Sequence, residues 1–172
     1  MELGATVCLP GAAPLCGECP LSFLCRARGE GDPTRYPVKS PKKARRREEH
    51  TVFVLESGGS VALAKRPPRG LLASLWQFPM APGHLDRAEA QKTAEQWGLS
   101  LIQFCALPPS KHIFTHIEWE MNGYLMRVEE PAGDFVWADL QELETVYAIP
   151  SAFAPFLTAA KNLLDSGHFP AL

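Results

Sequence analysis

The chain has 172 residues, 46% of them hydrophobic and 21% charged, with a formal net charge of -2. That length suits one ordinary domain plus an appendage, and the composition suits a globular core. No apolar run is long enough for a membrane-spanning helix, no basic flank leads into an apolar secretory core, and the near-neutral charge points to no partner by itself.

Composition divides the chain into three. Residues 1–28 hold four of the five cysteines, residues 29–50 form a Gly-, Pro- and charge-rich basic linker, and residues 51–168 alternate apolar runs with turn signals. The opening Met1–Val7 reads as the end of a helix. Thr51–Leu55 and Val61–Lys65 are β-prone runs around Ser57-Gly58-Gly59-Ser60, which predicts a hairpin. Asp86-Arg87-Ala88-Glu89 has the form of a capping box, so a helix should run from Ala88 to Trp97 and stop at Gly98. Ile113, Thr115, Ile117 and Trp119 alternate with Phe114, His116 and Glu118 as in a strand. Asn122-Gly123 then reads as a hairpin turn, with Tyr124–Val128 as the returning strand. Phe153, Phe156, Leu157, Ala160, Leu163 and Leu164 recur at helical spacing, with Gly167 as the stop. The expected class is α+β, a mixed sheet with packed helices.

The cysteines are spaced Cys8-x7-Cys16-x2-Cys19-x5-Cys25. Four thiolates so close together suit soft-metal ligation, and clustered thiols in a reducing compartment bind metal more often than they pair. Spacing alone leaves a [4Fe-4S] cluster and a structural zinc both open. Cys105, far away in the apolar stretch Gln103–Leu107, reads as a small core residue.

Met1-Glu2-Leu3-Gly4-Ala5-Thr6-Val7-Cys8, Cys19-Pro20-Leu21 and Cys25-Arg26-Ala27 resemble the cluster segment of the A/G-specific adenine DNA glycosylases, the MutY family. Gly70–Pro79 with its Leu75-Trp76-Gln77-Phe78-Pro79, Phe114-Thr115-His116, and Tyr147–Phe153 resemble further family segments in the same order. The resemblance implies a [4Fe-4S] cluster on Cys8, Cys16, Cys19 and Cys25, followed by a Nudix-like domain that recognises 8-oxoguanine. The departure is at Cys8, since the family pattern has one residue fewer between its first two cysteines than the seven found here. The implied setting is base excision repair on double-stranded DNA carrying 8-oxoguanine opposite adenine, by a monomer in a bacterial cytoplasm. In the family a helical domain with the catalytic carboxylates precedes the cluster. This stretch alone is therefore expected to lack glycosylase activity.

Nudix hydrolases hold magnesium on carboxylates of an Arg-Glu-x-x-Glu-Glu-x-Gly helix. Aligned on Gly98, those positions hold Gln91, Lys92, Glu95 and Gln96, so only one carboxylate remains and a binding module is the expectation. Oxidation at C8 turns guanine N7 from an acceptor into an N–H donor, so a reader of the lesion needs an acceptor there. Thr115 offers a hydroxyl between the Phe114 ring and the His116 imidazole. Lys42, Lys43, Arg45, Arg46 and Arg47 are candidate phosphate contacts, with a merely solvated linker as the alternative.

Overall fold

The computed structural model describes residues 2–9, 12–38 and 44–170. The chain falls into two units that divide between Ala44 and Arg45.

The first unit is mostly loop. It has a single turn of helix, α1 (Leu3–Thr6), and another, α2 (Arg26–Gly29). Among its described residues none is buried, and Phe23 and Leu24 stand 79% and 70% exposed.

The second unit has a core on both faces of a mixed sheet. Strands β1 (Arg46–Ser57), β2 (Ser60–Lys65), β3 (Trp76–Gln77) and β4 (Met80–Pro82) lead into helix α3 (Arg87–Gln96). Then come β5 (Leu101–Ile113), β6 (Ile117–Val128), β7 (Val136–Ala138), α4 (Leu140–Thr145) and α5 (Ala154–Ser166). The sheet order is β3-β2-β1-β6-β5, with β4 also on β1 and β7 on β2. β1 and β6 run parallel, and the other pairs run antiparallel. Thr51–Ser57 is buried without interruption, as expected of a strand covered on both faces. Val52, Val54, Trp119, Met121 and Leu125 pack under Phe153, Phe156 and Leu163. Phe53, Leu55, Tyr124 and Met126 pack on the other face with Ala90 and Ala94 of α3.

Local chemistry explains several elements. The β1–β2 turn puts Gly58 and Gly59 at φ 56° and 83°, which glycine tolerates best. Asp86 accepts the Glu89 N–H at 2.9 Å while Glu89 accepts the Asp86 N–H at 2.9 Å, so the expected capping box forms. A second box, Asp139 with Glu142, starts α4. Gly167 ends α5 in the left-handed region. Cys105 is half-buried against the α5-side core.

Three sequence expectations change. Asn122-Gly123 is not a turn: both lie inside β6, which runs unbroken to Val128. Gly123 is there because a Cβ would come within 2.4 Å of Phe156 Cε1. Asn122 is held by its side chain, whose Nδ2 donates to Leu85 O at 3.1 Å, with its Oδ1 at 2.7 Å from the Thr51 hydroxyl. The expected strand across 113–119 is instead the end of β5, a turn at Phe114–His116 and the start of β6. β5 also accommodates Pro108-Pro109. It is an edge strand whose register shifts between Leu107 and Ser110, the setting in which proline is tolerated. Finally, residues 46–50 of the expected linker belong to β1, because they continue its parallel pairing with β6, Arg46 opposite Ile117 through His50 opposite Met121.

Candidate nucleic-acid interface

The parallel pairing of β1 and β6 joins two groups that lie about 70 residues apart in sequence. The turn Phe114-Thr115-His116 precedes β6, and Arg45-Arg46-Arg47 leads into its neighbour β1. The Arg46 N–H donates to the His116 carbonyl at 3.1 Å, and the Phe114 N–H closes the turn on the Ile117 carbonyl at 2.8 Å. Thr115 and His116 are exposed and Phe114 is half-buried. The hydroxyl and imidazole are thus free to meet a ligand while the phenyl ring anchors the turn. Lys42 and Lys43 lie outside the described residues.

Phe114 packs edge-on against His112 at 4.6 Å and against Trp119 at 5.0 Å between ring centroids. Trp119 is buried, and its indole N–H donates to Glu48 Oε2 at 2.8 Å. That bond holds the Glu48 carboxyl below the usual carboxylate range, with burial opposing and Arg46 assisting. Arg66 lies over the Trp119 ring at 5.3 Å and donates from Nε to Leu71 O at 2.9 Å. Burial lowers the pKa of Arg66, with Glu48 opposing. His50 Nε2 is buried, has no hydrogen-bond partner among the described residues and lies 3.6 Å from Glu48 Oε2. Burial pushes His50 below its ordinary value, partly countered by Glu48. Glu48, His50, Arg66 and Trp119, with Arg46, line an open cavity of about 540 Å³.

Two of the basic residues have internal carboxylate partners. Arg46 pairs with Glu48, and Arg47 Nε lies 3.5 Å from Glu118 Oε1. Glu118 also holds Lys111 Nζ at 2.6 Å, and that contact keeps its carboxyl below the usual range. A phosphate at Arg46 or Arg47 therefore competes with a carboxylate, which reduces its net gain. On α3, Gln91 Nε2 donates to Glu95 Oε1 at 3.1 Å, so the one carboxylate left of the hydrolase pattern is engaged by its neighbour.

In the first unit, Cys8, Cys16, Cys19 and Cys25 all line one apolar cavity of about 70 Å³, walled by Val7, Pro14, Leu15 and Ala27. Leu15 N–H donates to Val7 O at 2.9 Å, which closes the Cys8–Cys16 loop. Arg28 donates to Cys16 O at 3.3 Å. All four thiols are free, and Cys8 is the exposed one. Among the described residues no three His, Cys, Asp or Glu donors gather to the spacing of a single ion. The donor chemistry and the shared cavity fit a thiolate-held group.

Sequence missed Glu48 and His50. A buried indole needs an acceptor, so Trp119 signalled that a partner exists, but the identity of that partner depends on strand pairing.

Comparison with known proteins agrees with this architecture. Residues 51–159 match the NUDIX domain family model. The chain is 34% identical over 162 residues to the adenine DNA glycosylase of Arabidopsis thaliana, covering 77% of this chain and 26% of that protein. It is 32% identical over 179 residues to the mouse adenine DNA glycosylase, covering 76% and 35%. Among solved structures, the C-terminal domain of mouse MUTYH, in complex with human PCNA, superposes with a TM-score of 0.53 at 20% identity, covering 73% of this chain and 94% of that domain. The chain thus spans about a quarter to a third of the length of these glycosylases.

Proposed function

Because this chain belongs to the NUDIX domain family and is similar over three quarters of its length to adenine DNA glycosylases, we propose that it is a DNA-binding module that recognises 8-oxoguanine opposite adenine in base excision repair. The observation that carries this reading is the Phe114-Thr115-His116 turn, with Thr115 and His116 exposed, tied by a main-chain bond to the basic start of β1. Thr115 would accept the N7–H that distinguishes the lesion from guanine. Phe114 would bear on the base step through its accessible edge, and His116 would meet a phosphate or the lesion edge. Arg45, Arg46 and Arg47 would meet the flanking phosphates, giving affinity that falls with salt.

The first unit would hold a [4Fe-4S] cluster on Cys8, Cys16, Cys19 and Cys25, with zinc as the alternative. The four cysteines line one cavity, which suits either group, and the resemblance to the glycosylase cluster segment favours the iron–sulfur cluster. The cluster would supply thiolate–iron cross-links and order the loop. Adenine excision is assigned to no residue of this chain.

The test is a titration of the full chain with duplexes carrying 8-oxoguanine opposite adenine, guanine opposite adenine and guanine opposite cytosine. The proposal expects the lesion duplex to bind more tightly than both others at fixed salt. Equal affinity for all three refutes lesion recognition, and no binding at all refutes the module.

A further inference from the structure

The turn at Phe114–His116 is short, and its exposed residues are anchored by little of their own. Its described main-chain ties are the Phe114 N–H to Ile117 O and the Arg46 N–H to His116 O. What holds the Phe114 ring is the aromatic pair with His112 and Trp119. Trp119 in turn contacts β1 through Glu48 and His50, contacts Phe153 just before α5 at 6.0 Å, and lies beneath Arg66. Glu48 meets both structures that frame the turn, since it accepts the Trp119 indole N–H and pairs with Arg46, whose own N–H holds His116.

We infer that Glu48 and Trp119 form a strut that positions the lesion-reading turn. Glu48 fixes the rotation of the indole, the indole fixes the edge-on seat of Phe114, and that seat sets where the Thr115 hydroxyl and His116 imidazole project. Neither strut residue needs to touch DNA. The strut rests on the reading of Phe114–His116 as the recognition turn, but its mechanical part can be tested without DNA. A charge-assisted hydrogen bond with a partly shielded carboxylate is strong enough to select one indole orientation. Aromatic pairs favour edge-to-face geometry, so the orientation of the indole selects the seat of the Phe114 ring against it.

The experiment uses the full chain with Glu48→Ala, Glu48→Gln, Trp119→Phe and the double variant Glu48→Ala/Trp119→Phe. Amide hydrogen exchange at Phe114 and Arg46 reads the turn in the free protein. Loss of one hydrogen bond to a charged group should speed exchange there about tenfold in Glu48→Ala. Glu48→Gln, which keeps a carbonyl acceptor, should restore most of the protection. Trp119→Phe should match Glu48→Ala, and the double variant should be no worse than either single one, because both remove the same contact.

The second readout is the ratio of affinities for 8-oxoguanine opposite adenine over guanine opposite adenine. It should fall several-fold in Glu48→Ala and recover in Glu48→Gln. A merely structural role would lower the melting temperature without moving this ratio, and that outcome overturns the inference. Unchanged exchange at Phe114 and Arg46 overturns it too, even if Trp119→Phe folds poorly, because Glu48→Ala alters a partly exposed side chain. Faster exchange in Glu48→Ala, with a wild-type chain that shows no lesion preference, would retain the strut and remove the function assigned to the turn.

Discussion

The two units of this chain are organised in opposite ways. The second has a continuous core on each face of its sheet, from Phe156 against Gly123 on one side to Ala90 and Ala94 over Phe53 on the other. The first has no buried residue among those described and exposes Leu21, Phe23 and Leu24. Apolar burial can fix the sheet domain at any redox state. A loop of this size without a core of its own gains order from cross-links, and the proposed cluster on its four thiols, which line one cavity, would supply them.

The largest effect should therefore separate the units. In chain reconstituted anaerobically with iron and sulfide, residues 2–38 should resist limited proteolysis. Cys19→Ser, or removal of the metal by chelation, should abolish both that protection and the thiolate–iron absorption. The melting of the sheet domain, followed by tryptophan fluorescence, should stay within about 1 kcal/mol of wild type, because that domain has its own core. A first unit that remains protected without metal would remove the contrast between the two regions.

A smaller effect belongs to the sheet domain alone. Burial lowers the pKa of His50, so between its folded value and the ordinary histidine range the unfolded chain binds more protons than the native one. Stability is then fully present above the ordinary range and falls as the pH drops through it. Glu48 opposes this shift, while Arg66 and His84 add to it. His50→Gln should flatten the decline seen in urea unfolding between about pH 7 and pH 5. An unaltered slope would place the acid sensitivity elsewhere.

Much of the sheet domain was legible because its signals are local. Gly58-Gly59, the Asp86–Glu89 capping box and the stop at Gly167 each specify their element within a few residues. The misplaced turn shows the limit. Asn122-Gly123 has ideal turn chemistry, but the pair is used for other purposes: Asn122 bonds Leu85, and Gly123 makes room for Phe156, 33 positions later. The length of β5 through Pro108-Pro109 has no local signal, because the edge position that tolerates proline is a property of the assembled sheet. The candidate turn was recognisable from family resemblance, yet its pairing beside Arg45–Arg47 was not, since a parallel β1–β6 contact leaves no local trace. Glu48 escaped for the same reason. It looks like one more charge in a charged run until the fold brings it to Trp119.

The most direct measurement concerns one oxygen atom. Thr115→Val keeps the shape of the side chain and removes the hydroxyl proposed to accept the lesion's N7–H. In duplex titrations at fixed salt, the variant should bind guanine opposite adenine as the wild type does. Its preference for 8-oxoguanine opposite adenine should fall by about five- to tenfold, the worth of roughly one hydrogen bond. A variant that keeps the full wild-type preference would contradict recognition of the lesion by this turn.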